Sequence, residues 1–226
     1  MLLKGNKFFS LRMGIEKICM TNKVNKIKIP KMICGLDEAG RGALAGPIVI
    51  AGVVLYSGFN FKKISPNIVV KDSKELSNKQ REYLFNIIKK HCHRIIIEVI
   101  SVKDINERGI NWANIEGFRR IIKKIQADKY LIDGRWKLPD LREKNKNTKC
   151  IIKGDTKVMA ILSAGVVAKI KRDKIMQKLH LEYPNYCWNT NTGHGTEQHI
   201  GAIKKFGSCK YHKKQFVETA LSKFNK

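Results

Sequence analysis

Three short stretches set carboxylates beside glycine: Gly35-Leu36-Asp37-Glu38-Ala39-Gly40-Arg41-Gly42, Leu131-Ile132-Asp133-Gly134 and Lys153-Gly154-Asp155. In a chain of 226 residues with 45 Lys and Arg against 19 Asp and Glu, acids are the minority, so an adjacent pair followed by a glycine-flanked arginine needs a reason. Hard divalent ions supply one, because Mg²⁺ and Mn²⁺ take carboxylate oxygens as ligands. Gly40 and Gly42 would also let backbone N–H groups approach a sugar or phosphate closely. Taken alone, the first stretch reads equally well as a tight turn with a solvated acidic pair. A phosphate-cradling loop of the G-x-x-x-x-G-K-[ST] kind fits worse. Arg41 stands where the lysine should be, Gly42 replaces the metal-binding hydroxyl, and Asp37 and Glu38 would put negative charge inside the cradle. Nucleotide hydrolysis therefore ranks last.

The elements that would carry these acids begin after Pro30, where an irregular basic texture gives way to a patterned one. Met32 to Leu36 predicts a short buried strand, and Pro47 to Leu55, rich in β-branched residues, an antiparallel partner. A helix is expected from Leu76-Ser77 to Lys90, capped by Ser77, and a third strand from Arg94 to Ser101. Asn111 to Ala127 reads as a helix with Ile115, Phe118, Ile122 and Ile125 on its buried stripe. Tyr130 to Ile132 and Cys150 to Ile152 are short strands separated by a basic loop, Arg135 to Lys149. A long helix from Thr156 to Leu179 carries Ala160, Ala164 and Ala168 one turn apart, so it can lie close on a sheet. The expected fold is a mixed α/β sheet flanked by helices. Asp37-Glu38, Asp133 and Asp155 each fall at the carboxyl end of a strand, where such sheets gather reactive groups. Four carboxylates there would repel strongly without cations, which favours the metal reading over a set of turns.

A formal charge of +26 points to a polyanion, with nucleic acid the first candidate. Six scattered cysteines suggest neither zinc nor a disulfide framework, and free thiols in a reducing compartment are expected. No apolar run approaches the ~20 residues of a membrane span. The expectation is a soluble, cytoplasmic, monomeric protein. Residues 1–31, Lys-rich with Glu16 their one acid, read as a basic extension.

GLDEAGRG, the strand after it, DSKELS, LIDG, IKGDTK, AKIKRD and GHGT follow one another in an order and spacing by which the stretch from Met32 to Phe216 resembles bacterial ribonuclease HII. The resemblance implies a ribonuclease H-like core with a five-stranded mixed sheet at 32–190 and a small helical, substrate-contacting segment at 191–226. It implies an endonuclease for RNA–DNA hybrids and for ribonucleotide-containing duplex DNA. Asp37, Glu38, Asp133 and Asp155 would hold two Mg²⁺ or Mn²⁺ ions, giving 5′-phosphate and 3′-hydroxyl ends. Gly40-Arg41-Gly42 would read the ribose 2′-hydroxyl, Lys74 would contact a phosphate, and His194 would stand where the family usually has a tyrosine that stacks on the sugar. Gly165 and Gly109 also depart from the usual serine and asparagine. Asp173 reads as structural and charge-paired, His199 and His212 as surface or substrate-side residues, and Lys204-Lys205 and Lys213-Lys214 as a solvated face or one lying near nucleic acid. Ribonuclease HIII shares part of this pattern but adds an N-terminal domain, which about 31 leading residues do not match. The rival reading of another class is a non-catalytic basic protein binding RNA or duplex by charge, which gains nothing from acids placed where phosphates should lie.

Overall fold

The computed structural model describes residues 30–66, 68, 76–138 and 147–224. The basic extension and Lys74 lie outside this range. Five strands, β1 (Met32–Ala39), β2 (Ile48–Tyr56), β3 (Arg94–Ile100), β4 (Lys129–Asp133) and β5 (Thr148–Ile151), form one sheet in the order β3-β2-β1-β4-β5. β2 runs antiparallel to both β1 and β3, whereas β4 and β5 follow β1 in parallel. This is the expected mixed sheet.

The chain order of helices is α1 (Phe61–Ile64), α2 (Asn78–His91), α3 (Val102–Arg108), α4 (Ile110–Lys124), α5 (Met159–Glu182), α6 (Trp188–Asn191), α7 (Glu197–Phe206) and α8 (Lys214–Phe224). α4 packs one face of the sheet through Phe118, Ile121 and Ile122, which meet Leu36, Ile50 and Ile132. α2 and α5 pack the other, joining Val49, Ala51, Val53 and Leu55 to Leu84, Ile88, Ala160, Ala164 and Ala168. The small residues of α5 work as anticipated. At Gly35 of β1 even a single added carbon would fall 2.0 Å from the Ala160 carbonyl carbon, so strand and helix touch backbone to backbone. A third apolar cluster, containing Leu44, Met176, Tyr186, Trp188, Ile200, Ile203 and Val217, binds α6, α7 and α8 to the lower half of α5.

Several elements depart from the sequence reading. β1 continues through Asp37 and Glu38 to Ala39, because its ladder with β2 persists through Glu38↔Ile50 and Ala39↔Val49. α3 was not anticipated, although Ser101 caps it by accepting from the Asp104 N–H at 3.1 Å, and that serine-to-acid spacing is visible in the sequence. β5 starts two residues early, at Thr148, and Trp136 and Leu138 of the supposed loop are buried against α4. The segment after β5 first makes a single tight turn, Gly154–Thr156, and α5 opens only at Met159. Ser77 does cap α2, with Gln80 returning a 2.9 Å bond to the Ser77 N–H.

Candidate active site

The sheet register sets the acids. Leu36 of β1 lies opposite Ile132 of β4, so one step further along these parallel strands Asp37 comes level with Asp133. Leu36 and Ile132 point to the α4 face, which sends Asp37 and Asp133 to the α5 face. Asp133 Oδ1 accepts from the Gly154 N–H at 2.7 Å, and this bond holds the turn bearing Asp155 against the end of β4. Burial first, then the charges of Glu38, Asp133 and Asp155, hold the Asp37 carboxyl well above the usual carboxylate range. A 2.7 Å bond from the Glu38 N–H to Asp37 Oδ1 opposes them. The other three predicted acids thus all act on Asp37.

Among the described residues, no three His, Cys, Asp or Glu side chains stand ready-made as a metal cluster. The donor set nevertheless suits a hard cation. It is all oxygen, and its central member is disfavoured as an anion by the other three, a penalty that a divalent ion removes.

Beside the acids opens a cleft of about 830 Å³ whose lining includes Glu38, Asp133, Gly40, Arg41, Gly42 and His194. The Arg41 guanidinium lies over the Trp136 ring, 4.7 Å from its centroid, and the Trp136 indole N–H donates to the Asp133 carbonyl at 2.6 Å. Arginine, tryptophan and acidic strand end form one wall. Also lining the cleft, His194 keeps an exposed ring whose Nδ1 reaches the Asn191 carbonyl at 3.1 Å and Thr192 Oγ1 at 3.2 Å. Partial desolvation, with the nearby charges of Arg172, Lys169 and Lys213, holds it below the usual histidine range, against the raising effect of the Asn191 bond. Of the nine residues proposed for metal or substrate, six therefore line this cleft, Asp37 and Asp155 stand with the acids beside it, and Lys74 lies outside the described range.

Residues 34–220 match the family model described as Ribonuclease HII. The chain belongs to the ribonuclease HII family. It is 43% identical to the ribonuclease HII of Pelagibacter ubique over 188 residues, 82% of this chain and 96% of that one. The Clostridium botulinum enzyme is 41% identical over 192 residues, 84% of this chain and 69% of that one. Among solved structures, ribonuclease HII of Archaeoglobus fulgidus in its complex with PCNA superposes with a TM-score of 0.69 at 25% identity, covering 80% of this chain and 93% of that one. The fold also matches Bst ribonuclease HIII, solved with Mn²⁺, at a TM-score of 0.64 and 16% identity, covering 85% of this chain and 70% of that one. Family and fold together make the chain a ribonuclease H-type endoribonuclease, a hydrolase of nucleic acid. Among the described residues no helix is long and apolar enough to cross a membrane.

Around this ribonuclease HII cleft the sequence reading missed several supports. Arg172 is buried and donates to three carbonyls: Pro47 at 3.2 Å, Ala45 at 2.9 Å and Thr192 at 2.8 Å. Burial lowers its pKa to about 10, partly offset by Asp173. Asp173 itself pairs with Lys169 at 2.7 Å, in keeping with a structural role. Arg81, also buried, donates to the Leu76 carbonyl at 2.6 Å and to Asn78 Oδ1, anchoring the end of the DSKELS stretch beside the cleft. An arginine at period-appropriate spacing on an otherwise amphipathic helix carries no mark in sequence that it will turn inward.

Two expectations are corrected here. His199 and His212 are not at the surface. They are buried, with Nε2 to Nε2 3.1 Å apart, among Tyr186, Trp188 and Tyr211. The Cys209 N–H donates to His212 Nδ1 at 2.9 Å and the Trp188 indole N–H to His199 Nε2 at 3.0 Å, while His199 Nδ1 lies 2.8 Å from the His194 carbonyl. These contacts fix two neutral tautomers: His199 donates from Nδ1, and His212 donates from Nε2 to His199. Lys213 is likewise no part of a solvated face. It is 1% exposed, and its ammonium donates to the Gly40 carbonyl at 2.6 Å and the Arg41 carbonyl at 3.3 Å. Lys204, Lys205 and Lys214 are exposed as expected.

Proposed function

We propose that this chain hydrolyses the RNA strand of RNA–DNA hybrids and cuts 5′ to single ribonucleotides embedded in duplex DNA, leaving 3′-hydroxyl and 5′-phosphate ends. The observation that carries the reading is that the register of β1 and β4 and the Asp133–Gly154 bond bring Glu38, Asp133 and Asp155 around buried Asp37, beside a cleft lined by Glu38, Asp133 and Gly40-Arg41-Gly42. Asp37, Glu38, Asp133 and Asp155 would hold two Mg²⁺ or Mn²⁺ ions. Such ions, when bound, supply an activated water and charge stabilisation for the leaving 3′-oxygen.

The remaining work falls to the chain itself. Gly40, with φ +95°, turns the chain sharply after β1 and brings the next two peptide groups to the cleft. Their N–H groups and the absence of a side chain at Gly42 suit close approach of a ribose 2′-hydroxyl, the group that separates RNA from DNA. Arg41, braced flat on Trp136, presents a guanidinium for a neighbouring phosphate. His194 supplies an exposed aromatic face in the lining of the cleft for stacking on the sugar. Residues 191–226 serve as the substrate-contacting segment, Lys74 as a phosphate contact, and the exposed lysines as the backbone-binding surface. The protein acts as a cytoplasmic monomer.

A non-catalytic duplex binder is disfavoured by the same acids, which repel phosphate unless cations intervene. The test is a DNA duplex bearing one ribonucleotide, incubated with Mg²⁺ or Mn²⁺ and read at nucleotide resolution. Cleavage on the 5′ side of the ribonucleotide with a ligatable 3′-hydroxyl is expected. An intact duplex with either ion, or cutting indifferent to the ribonucleotide, would overturn the proposal.

A further inference from the structure

Lys213 is the buried ammonium whose partners lie nearest the cleft. Its main chain is fastened on three sides. The Lys213 N–H donates to the Leu44 carbonyl at 2.8 Å, and Asn106 of α3 brackets the residue, donating to the His212 carbonyl at 3.1 Å and accepting from the Lys214 N–H at 3.0 Å. A bridge between Ala45 and His212 adds a fourth tie. The side chain then crosses from the start of α8 to the turn after β1, with its ammonium 5.1 Å from the Phe216 ring centroid. Arg172 is the other charged group that acts on it, and burial followed by that like charge lowers the Lys213 pKa to about 7. No carboxylate is among the hydrogen-bond partners shown for the ammonium, which are two carbonyls of the Gly40-Arg41 turn.

Those two carbonyls determine where the turn's donors point. In a trans peptide the C=O and the following N–H are antiparallel, and no cis bond occurs among the described residues. Drawing the Gly40 and Arg41 carbonyls onto Lys213 therefore directs the Arg41 and Gly42 N–H groups away from it, in a turn whose three residues all line the cleft. We infer that Lys213 is a positioning residue for ribose discrimination, holding the Gly40-Arg41-Gly42 N–H groups, from a segment 172 to 173 residues away in sequence, in the orientation that donates to a 2′-hydroxyl. The inference rests on the reading of that turn given under Proposed function. It assigns Lys213 no contact with the substrate.

The experiment compares wild type with Lys213→Met, Lys213→Arg and Asn106→Ala, each checked for an unchanged circular dichroism spectrum. Affinity is measured in Ca²⁺ without turnover for one duplex carrying a single ribonucleotide and for the same sequence as all-DNA. Lys213→Met removes a charge-assisted bond to each carbonyl, and the ratio of the two affinities is expected to fall about 10- to 100-fold. Affinity for the all-DNA duplex should hardly change. Lys213→Arg, which retains a cation for the same acceptors, should recover most of the ratio. Asn106→Ala, exposed and outside the cleft, should lower it less, and keeps the question open to refutation if Lys213→Met fails to fold. An unchanged ratio in folded Lys213→Met, or in Asn106→Ala where Lys213→Met does not fold, overturns the inference. So does an equal loss for both duplexes. A wild type that itself shows no ribonucleotide preference would instead refute the underlying reading of the turn.

Discussion

At the scale of single residues, Gly40 and His194 line the same cleft under opposite constraints. Gly40 has no latitude. Its φ of +95° disfavours any side chain, and an added carbon would lie 2.0 Å from Arg172 Nε and 2.8 Å from the Pro47 carbonyl. Gly40→Ala should destabilise the fold by roughly 2–4 kcal/mol, the sum of a strained conformation and a displaced buried arginine. Urea unfolding measures it, and a loss below about 0.5 kcal/mol, as for an ordinary surface change, would refute the packing described. His194 has latitude, because its ring is exposed and tied only at Nδ1 to its own loop. His194→Tyr should keep or increase cleavage at an embedded ribonucleotide, and His194→Ala should lose about tenfold or more, as expected where one aromatic stack is removed. Equal rates for wild type and His194→Ala would make the residue a bystander. The acids and the glycine turn were legible from sequence because each breaks the local composition: carboxylates among lysines, glycines at a strand end. Lys213 was not, since one lysine among 45 Lys and Arg looks like any other until α8 folds back on β1.

Among the elements, α7 and the segment before α8 meet through the His199–His212 pair rather than through aliphatic packing alone. Burial, and then the neighbouring histidine, lowers the His212 pKa to about 4 from an ordinary 6.5, and burial lowers that of His199 as well. Between those values the unfolded chain binds a proton that the folded chain refuses. Stability from this site is therefore fully present above about pH 6.5 and is lost as pH falls toward 4. The wild type should accordingly lose more of its urea midpoint between pH 7 and 5 than His212→Gln does, and equal losses would contradict the neutral pair. Strand and helix types were readable from β-branched runs and helical period, as the Ala160, Ala164 and Ala168 spacing on α5 shows. Lengths were less so. β1 runs on through Asp37 and Glu38 because hydrogen bonding to β2 continues where side-chain polarity says stop, and α3 was hidden because only Val102 and Ile105 break its polar sequence.

Across the whole molecule, positive charge and four acids divide the labour. The net charge of +26 attracts a duplex, and affinity should fall steeply with salt in proportion to the phosphates neutralised. In the proposed function, the acids at the ends of β1 and β4 and in the turn after β5 act only once the duplex is seated. That separation is testable in one comparison of Asp133→Asn with wild type on a duplex containing a single ribonucleotide, with affinity measured across a salt series in Ca²⁺ and cleavage in Mg²⁺ and Mn²⁺. The account predicts the same affinity and salt slope for both proteins, with cleavage by Asp133→Asn reduced at least ~10³-fold, as expected where metal-derived charge stabilisation is lost. Cleavage by the folded variant within about tenfold of wild type, one unit on the logarithmic rate scale, would contradict the assignment of the acid cluster as the catalytic centre.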